Sequence, residues 1–123
     1  MTLNVAVDFD GVLNTYDGWK GEYELFEPRR GVGFFLSKLD EKYNIIIFTN
    51  RKPQSVWRWL EDYNLACFVK EVTNTKPRAF VYVDDRGLKF EGDFDKTLKI
   101  IDSFTTHWEP DSSEFIDGGW ING

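Results

Sequence analysis

The stretch LNVAVDFDG, residues 3–11, decides the fold, because its apolar run stops abruptly on two carboxylates, Asp8 and Asp10. A second run, AFVYV at residues 79–83, ends in the same way on the acid pair at 84–85. Short runs rich in β-branched and aromatic residues are typical of buried parallel strands. Chemistry in an open α/β sheet lies just beyond the carboxyl ends of its strands. If these strands are neighbours, four carboxylates meet at one edge, and a hard divalent cation with oxygen ligands would offset their repulsion.

Length and composition predict one packed domain over residues 1–123. That length suffices for one hydrophobic core and not for two. The chain has 11 Phe, 5 Trp and 5 Tyr, which favours a packed globular protein over a disordered one. Its net charge of -6 argues against non-specific nucleic-acid binding, because such binding depends on a positive surface.

The single cysteine, Cys67, excludes an internal disulfide and fits a reducing compartment. It lies in an apolar context, so we expect a buried structural thiol. Met1 leads directly into the first strand without a signal peptide, and no apolar run has the roughly 20 residues that a membrane span needs. These features predict a cytoplasmic protein without membrane contact.

Strands alternate with helices along the chain, which predicts a parallel sheet with right-handed crossovers. The expected class is α/β, a three-layer Rossmann-like sandwich with helices on both faces of a central parallel sheet. Residues 14–27 lack helical periodicity and are expected to form a loop or hairpin flap, and residues 105–123 a C-terminal tail. Strands are expected at residues 3–8, 44–49, 66–71 and 79–84, and helices at 28–42, 53–63 and 97–104.

Several polar residues at the strand ends have two interpretations each. Asp8 and Asp10 are either a catalytic pair, in which one carboxylate attacks and the other transfers a proton, or ordinary turn residues. Thr49 either helps to cradle an anion at a strand-to-helix turn or caps the following helix, as Asn50 also could. Lys76 either neutralises a phosphate or is a solvated lysine. The pair Asp84 and Asp85 is unfavourable unless a cation, or a partner such as Arg86, compensates it.

The order of these residues resembles that of the four motifs of the haloacid dehalogenase (HAD) superfamily of phosphohydrolases. Residues 5–13, VAVDFDGVL, are similar to the first motif, and residues 46–50, IIFTN, to the second. Lys76 fits the third motif, and residues 81–85, VYVDD, fit the fourth. Each motif is short, but all four occur in order on suitable elements. The resemblance covers roughly residues 3–93.

The resemblance implies a role for each acid. Asp8 would be the nucleophile that forms an aspartyl-phosphate, and Asp10 the general acid/base. Mg²⁺ would be held by Asp8, by the backbone carbonyl of Asp10 and by an acid of the fourth motif. Asp85 is the preferred ligand of that pair, with Asp84 in support. The second acid at Asp10 favours phosphate chemistry over dehalogenation.

The resemblance also implies how the phosphoryl group is held. Thr49, Asn50 and Lys76 would bind it, and Arg86 would support the fourth motif. Phosphoryl transfer depends mostly on positioning and charge neutralisation, so this small set suffices.

The intervals between the motifs are too short for the cap domain that many HAD members carry. The closest match is the minimal, capless type, including bacterial and phage-type proteins with an Asp-Asp-Arg fourth motif. An open site admits a phosphorylated small molecule or a macromolecular end, and an oligomer is possible. Tyr16, Trp19 and Tyr23 of the flap either stack on a base or sugar or form flap core.

Rival interpretations come from other classes. A receiver domain also uses acids, a Thr and a Lys-Pro pair with Mg²⁺, but its Lys-Pro comes last, whereas Lys76 precedes Asp84 here. A polynucleotide-end phosphatase remains an alternative, although the acidic composition counts against it. A non-catalytic phosphate-binding protein on the same fold is a further alternative.

Overall fold

In this computed structural model, residues 3–75, 77, 79, 81–84, 88–90 and 92–106 are described. The strands are β1 (Leu3–Asp8), β2 (Tyr43–Phe48), β3 (Val69–Thr73), β4 (Val81–Asp84) and β5 (Leu88–Lys89). The helices are α1 (Val32–Asp40), α2 (Pro53–Asp62) and α3 (Phe94–Thr106), and a single 3₁₀ turn covers Ala66–Phe68. No helix in this described part is long and apolar enough to cross a membrane.

The five strands form one sheet in the order β3-β2-β1-β4-β5, and every neighbouring pair is parallel. β1 is the central strand, with Val7 opposite Ile47 of β2 on one side and Val83 of β4 on the other. Its Val5 and Val7 are fully buried, because they point to the face of the sheet that the helices cover. The predicted Rossmann-like α/β class with a parallel sheet is confirmed.

The core lies between the sheet and the three helices. Phe35, Leu36 and Leu39 of α1 are fully buried in the same cluster as Val56, Trp59 and Leu60 of α2 and Ile101 of α3. The strand residues in this cluster alternate along the sheet: Val5, Val7, Ile45, Ile47 and Val83. The burial of these apolar side chains, which stabilises by roughly 25 cal/mol per Å², is the main contribution that holds the helices on the sheet.

The described helices pack on one face of the sheet and not on both, which corrects that part of the prediction. Right-handed crossovers from β1 to β2 and from β2 to β3 run in the same direction, so α1 and α2 fall on the same side. α3 joins them there, where Phe94 stacks on Phe35 with ring centroids 4.5 Å apart. On the opposite face, the described residues include a small cluster of Ala6, Ala79 and Tyr82.

The third predicted strand, residues 66–71, is wrong in its first half. Asn64 adopts a left-handed φ of 59°, and the Leu65 amide donates to the Leu60 carbonyl at 2.7 Å, which ends α2. The chain then continues as a 3₁₀ turn and straightens only at Val69. Cys67 lies on the outside of this turn and is exposed, so the prediction of a buried thiol is also wrong.

Other boundaries shift by a few residues. The first helix begins at Val32 and not at 28, because Gly31 has a φ of 90° and the residues before it pair with the flap. The last helix runs from 94 to 106, so it includes the first two residues of the predicted tail, whose remaining residues lie outside the described part. The short strand β5 has no counterpart in the prediction. Tyr63 is exposed, although its spacing from Trp59 predicts the inner face of α2.

The flap at residues 14–27 has no helix and no regular strand, as expected. Its base is closed by backbone hydrogen bonds from Thr15 to the Glu27 carbonyl and from Arg29 to the Leu13 carbonyl, both at 2.9 Å. The Trp59 indole of α2 donates to the Phe26 carbonyl at 2.8 Å and fixes the flap against the helix. No cap domain interrupts the chain between β1 and α1 or between β2 and β3.

Candidate functional site

The site lies at the carboxyl edge of the sheet, where β1 meets its two neighbours. Asp8 is the last residue of β1 and is opposite Phe48, so Thr49 follows at the same edge. The β4 backbone ends at Asp84, one residue beyond the pair of Val7 with Val83. The chain leaves β1 toward β2 on one side and returns as β4 on the other, which makes this edge the topological switch point where ligands bind in open α/β sheets.

Asp8 is half-buried, and its carboxylate is held by its own neighbour. The Phe9 amide donates to Asp8 Oδ1 at 2.8 Å, a geometry that fixes the side chain at the strand end. Phe9 is fully buried and packs edge-to-face on Trp59, with ring centroids 4.9 Å apart. The residue whose amide holds the carboxylate is therefore itself fixed by a packed aromatic pair.

Asp10 follows in a helical turn, in which the amides of Val12 and Leu13 donate to the Phe9 carbonyl. Its side chain is 25% exposed and accepts three hydrogen bonds. Arg51 Nε donates to Oδ1 at 3.1 Å and to Oδ2 at 2.9 Å, and Asn14 Nδ2 donates to Oδ1 at 3.0 Å. Asp10 is thus oriented from two sides, by the flap and by the β2–α2 loop.

Asn14 is a site residue that the sequence does not reveal. It is fully buried, and its amide makes four hydrogen bonds, the full capacity of two donor and two acceptor positions. Oδ1 accepts from the Gly11 and Tyr16 amides at 2.9 and 3.2 Å, while Nδ2 donates to Asp10 and to the Leu25 carbonyl at 2.9 Å. One side chain therefore joins Asp10 to both ends of the flap. Its spacing of four residues from Asp10, along a helical turn, is the signal that could have indicated it.

Arg51 is a second residue of the site that sequence reasoning missed. Its side chain is only 4% exposed, and its Cζ lies 5.0 Å from the Trp19 ring centroid and 5.9 Å from that of Phe9. Nε is paired with Asp10, but Nη1 and Nη2 are buried and have no hydrogen-bond partner among the described residues. Buried polar groups are almost always paired, so a buried guanidinium with a partner only at Nε among the described residues is unusual. The signal in the sequence is a basic residue two positions after Thr49, at a strand end.

Thr49 is buried and held by the backbone around it. Its amide donates to the Thr73 carbonyl at 3.0 Å, and its Oγ1 accepts the Arg51 amide at 3.1 Å. Because Oγ1 accepts there, its O–H hydrogen is directed elsewhere and can serve as a donor. The alternative that Thr49 or Asn50 caps the following helix is wrong, since the N-cap is Lys52 without a side-chain capping bond.

Among the remaining predicted site residues, Asn50 is exposed and directly follows Thr49. Lys76, Asp85 and Arg86 lie outside the described residues, as does the side chain of Asp84. Within the described ranges, no group of three or more His, Cys, Asp or Glu side chains is positioned to hold a metal ion. The part of the site that is described consists of Asp8, Asp10 and the residues around them.

The flap aromatics divide into two kinds. Tyr16 packs edge-to-face on Phe26 with ring centroids 5.4 Å apart, which is flap core. Trp19 is 63% exposed and lies over Arg51, at the site, and Tyr23 is almost fully exposed. Of the two alternatives, substrate stacking and flap core, the structure therefore supports flap core for Tyr16 and leaves both open for Trp19 and Tyr23.

Lys52 connects the flap to the start of α2. Its Nζ lies 2.6 Å from Glu22 Oε1 in the flap. The hydrogen bond to Glu22 and the charge of that carboxylate raise the pKa of Lys52 above its ordinary value.

No protein-family model and no curated protein matches the sequence. A solved structure described as the conserved protein coded by locus from Bacteroides thetaiotaomicron is similar to this chain with a TM-score of 0.65 and 18% sequence identity. The similarity covers 89% of this chain and 100% of the other. At this identity the likeness establishes the shared α/β fold.

Proposed function

We propose that this protein is a Mg²⁺-dependent phosphohydrolase that cleaves a phosphomonoester through an aspartyl-phosphate at Asp8. The observation that carries the proposal is the meeting of Asp8, Asp10, Thr49 and Arg51 at the switch-point edge of the sheet. Two carboxylates, a hydroxyl and a cation are the groups that a phosphoryl transfer by covalent catalysis requires. Their order along the chain also follows the HAD motifs.

Asp8 is the nucleophile in this proposal. Its carboxylate oxygen attacks phosphorus, the new Asp8–phosphorus bond forms, and the bond from phosphorus to the leaving oxygen breaks. The bond from the Phe9 amide to Oδ1 holds one oxygen, so the carboxylate does not rotate away from the edge. Water then attacks the aspartyl-phosphate and releases inorganic phosphate.

Asp10 is the general acid and then the general base. It gives a proton to the leaving oxygen in the first step and takes one from the attacking water in the second. Arg51 Nε and Asn14 Nδ2 donate to its carboxylate, so they aim the group. An oxygen that accepts the guanidinium does not carry a proton at the same position, so the contact from Arg51 must loosen when Asp10 acts as the acid.

The phosphoryl group is held at the end of β2. The Thr49 hydroxyl donates to a phosphate oxygen, and the Asn50 segment lies beside it at the entry to α2. Lys76 completes the set in the proposal. Positioning and charge neutralisation of this kind supply most of the rate enhancement in phosphoryl transfer.

The donor set fits Mg²⁺, because the Asp8 carboxylate and the Asp10 carbonyl offer the hard oxygen atoms that this ion prefers. Asp85 is the proposed third ligand, with Asp84 and Arg86 in support. The bound ion would neutralise charge on the phosphoryl oxygens and on Asp8. Mg²⁺ needs few protein ligands, since it retains several waters.

The substrate class follows from the open edge. Without a cap domain, the site admits a phosphorylated small molecule or a macromolecular end. The exposed Trp19 beside Arg51 favours a polynucleotide end as the second candidate, because an indole ring stacks on any base. A non-catalytic phosphate-binding protein is the third.

The test is phosphate release from an aryl phosphate with and without Mg²⁺, followed by a screen of phosphorylated metabolites and of oligonucleotides with 3′- or 5′-phosphates. We expect turnover only with Mg²⁺. Turnover that is equal in excess chelator would contradict the metal dependence. Phosphate binding without turnover on every substrate would leave the non-catalytic alternative.

A further inference from the structure

Arg51 has more hydrogen-bonding capacity than its neighbours use. Its guanidinium offers five N–H donors, and its contacts to Asp10 use one of them, on Nε. The four N–H groups on Nη1 and Nη2 are buried without a partner in the described part of the chain. A buried donor left unpaired costs stability, more when it is charged, and a ligand that accepts from these nitrogens would offset that cost.

The surroundings of the guanidinium select the chemistry of that ligand. Two aromatic rings, of Trp19 and Phe9, lie near its Cζ, and Asp10 occupies the Nε side. The hydrogen-bonding capacity that remains for a ligand is that of the two terminal nitrogens, which are buried and form a planar fork. A fork of this kind matches two oxygens of a phosphate group. Lysine would bring charge to this place but not the bidentate geometry.

The position of Arg51 connects this fork to the reacting centre. Its backbone amide is bonded to Thr49 Oγ1, and its Nε to the carboxyl group of the proposed general acid. We infer that Nη1 and Nη2 of Arg51 bind a phosphate group of the substrate, beside Asp10 and under Trp19. This inference rests on the proposed function and adds a substrate-binding residue to it.

Two sources of that phosphate are compatible with the geometry. One is the phosphoryl group that is transferred. The other is a second phosphate on the leaving-group side, because Asp10 protonates the leaving oxygen and Arg51 lies against Asp10. Trp19 is on the irregular flap and largely exposed, so its side chain can move aside to admit either one.

The first measurement is the affinity for inorganic phosphate, by equilibrium dialysis, of the wild type and three variants. Arg51→Gln should weaken binding by roughly tenfold to a hundredfold, the worth of a charged hydrogen bond. Arg51→Lys should recover part of that loss, because it keeps the charge and loses the fork. Arg58→Gln is the matched control, since Arg58 is an exposed arginine on α2, and it should bind like the wild type.

Kinetic constants distinguish the two sources. If Arg51→Gln raises KM equally for an aryl phosphate and for a nucleoside 3′,5′-bisphosphate, the fork binds the transferred group. If KM rises for the bisphosphate alone, the fork binds the second phosphate. Both results support the inference. Unchanged phosphate affinity and unchanged KM for both substrates, with only kcat reduced, would overturn it and leave Arg51 as a residue that positions Asp10.

A measurement on the wild-type protein covers the case in which the variants do not fold. The side-chain Nε resonance of Arg51, identified by its proximity to the Trp19 ring, should shift when inorganic phosphate is added. A resonance that stays fixed at a phosphate concentration that saturates dialysis would exclude the contact. Arg51-dependent phosphate binding in a protein without turnover would remove the catalytic proposal and keep only the contact between Arg51 and phosphate.

Discussion

Two regions of the molecule concentrate charge, and they use it in opposite ways. The cleft between α1 and α3 has a volume of about 440 Å³ and is lined by Lys38, Lys42 and Asp102 among others. Its lining includes two solvent-accessible ion pairs, Lys38 with Glu41 at 3.3 Å and Lys42 with Asp102 at 3.4 Å. At the carboxyl edge of the sheet, Arg51 Nε lies 2.9 Å from Asp10 Oδ2. This arginine is buried, and its Nη1 and Nη2 have no partner among the described residues.

The difference shows that a surface cleft is weaker evidence for a ligand-binding site than a buried polar group whose hydrogen-bond partners are incomplete. Exposed ion pairs contribute about 0–1 kcal/mol and are readily solvated when broken, so the cleft needs no ligand. A buried guanidinium has no such recourse, and nitrogens that have no partner among the described residues are a cost to the fold. Mutations at the carboxyl edge should therefore change activity and stability more than mutations in the cleft do.

The largest difference in activity between the two regions is expected when Asp8 is replaced. Asp8→Asn should abolish turnover of an aryl phosphate, because a carboxamide does not act as the nucleophile, and it should leave the melting temperature close to that of the wild type. Asp102→Asn in the cleft is the control, and it should keep wild-type activity. Substantial activity in Asp8→Asn would make a covalent mechanism at this residue untenable.

Replacing Asp10 should have the next largest effect on rate. Asp10→Asn should lower kcat on the order of 10²–10⁴-fold, the usual contribution of a general acid. The loss should be smaller for aryl phosphates with good leaving groups, since these need less protonation. A series of substrates with graded leaving-group pKa values measures this. The same loss on all of them would assign Asp10 a structural or metal-binding role.

Replacing Asn14 should affect stability and the site together. Asn14→Ala removes four hydrogen bonds at a fully buried position and leaves the Gly11 and Tyr16 amides without their acceptor, so the free energy of unfolding should fall by about 3 kcal/mol. Asn14→Asp should cost at least as much, because it places a second carboxylate beside Asp10. Denaturant unfolding measures both.

An exposed asparagine provides the control for that measurement. Asn50→Ala should change the unfolding free energy by less than about 0.5 kcal/mol, as surface substitutions usually do. If Asn14→Ala were equally mild, the flap would be held by its backbone bonds and by Trp59 and not by Asn14.

The sequence predicts the elements whose signals are local. β1 and β2 have β-branched runs that end at the site, so the sequence alone places Asp8 and Thr49 at one edge, where the strand register has them. The 3₁₀ turn at residues 66–68 escapes prediction because its apolar residues resemble a strand. The signal that could have indicated the bend is Asn64, because asparagine tolerates the left-handed conformation that ends a helix.

The parts of the site that sequence reasoning misses depend on contacts between distant segments. Arg51 meets Asp10 across 41 residues, and its pairing requires that the β2–α2 loop and the first motif lie side by side. Asn14 begins a flap without hydrophobic periodicity, so its burial is not indicated by that pattern, and only its spacing of four residues from Asp10 connects it with the site. Helix placement on one face follows from the strand order, which the sequence leaves open.

Adding Mg²⁺ should raise the melting temperature if the acids of the edge bind it. At a concentration 100 times the dissociation constant, the stabilisation is about 2.7 kcal/mol by mass action. Asp85→Ala should remove most of this increase, Asp84→Ala should remove less, and Asp102→Asn should remove none. A full Mg²⁺ response in Asp85→Ala would move the ligand to Asp84 or away from the fourth motif.

The smallest effect is expected at Lys52, the neighbour of Arg51, whose ion pair with Glu22 is exposed. The Glu22 carboxylate raises the pKa of Lys52 above its ordinary value of 10.5, so Glu22→Gln should return that pKa toward 10.5 in a titration followed by NMR of the lysine side chain. A raised pKa in the folded state means that the pair stabilises the fold below pH 10.5 and that this contribution is lost as the pH rises through the folded-state pKa. Because water screens both groups, Lys52→Met should leave the melting temperature at about pH 7 unchanged within error. A clear loss of stability in Lys52→Met would mean that this exposed pair anchors the flap, and the contrast between buried and exposed charge would then fail at adjacent residues.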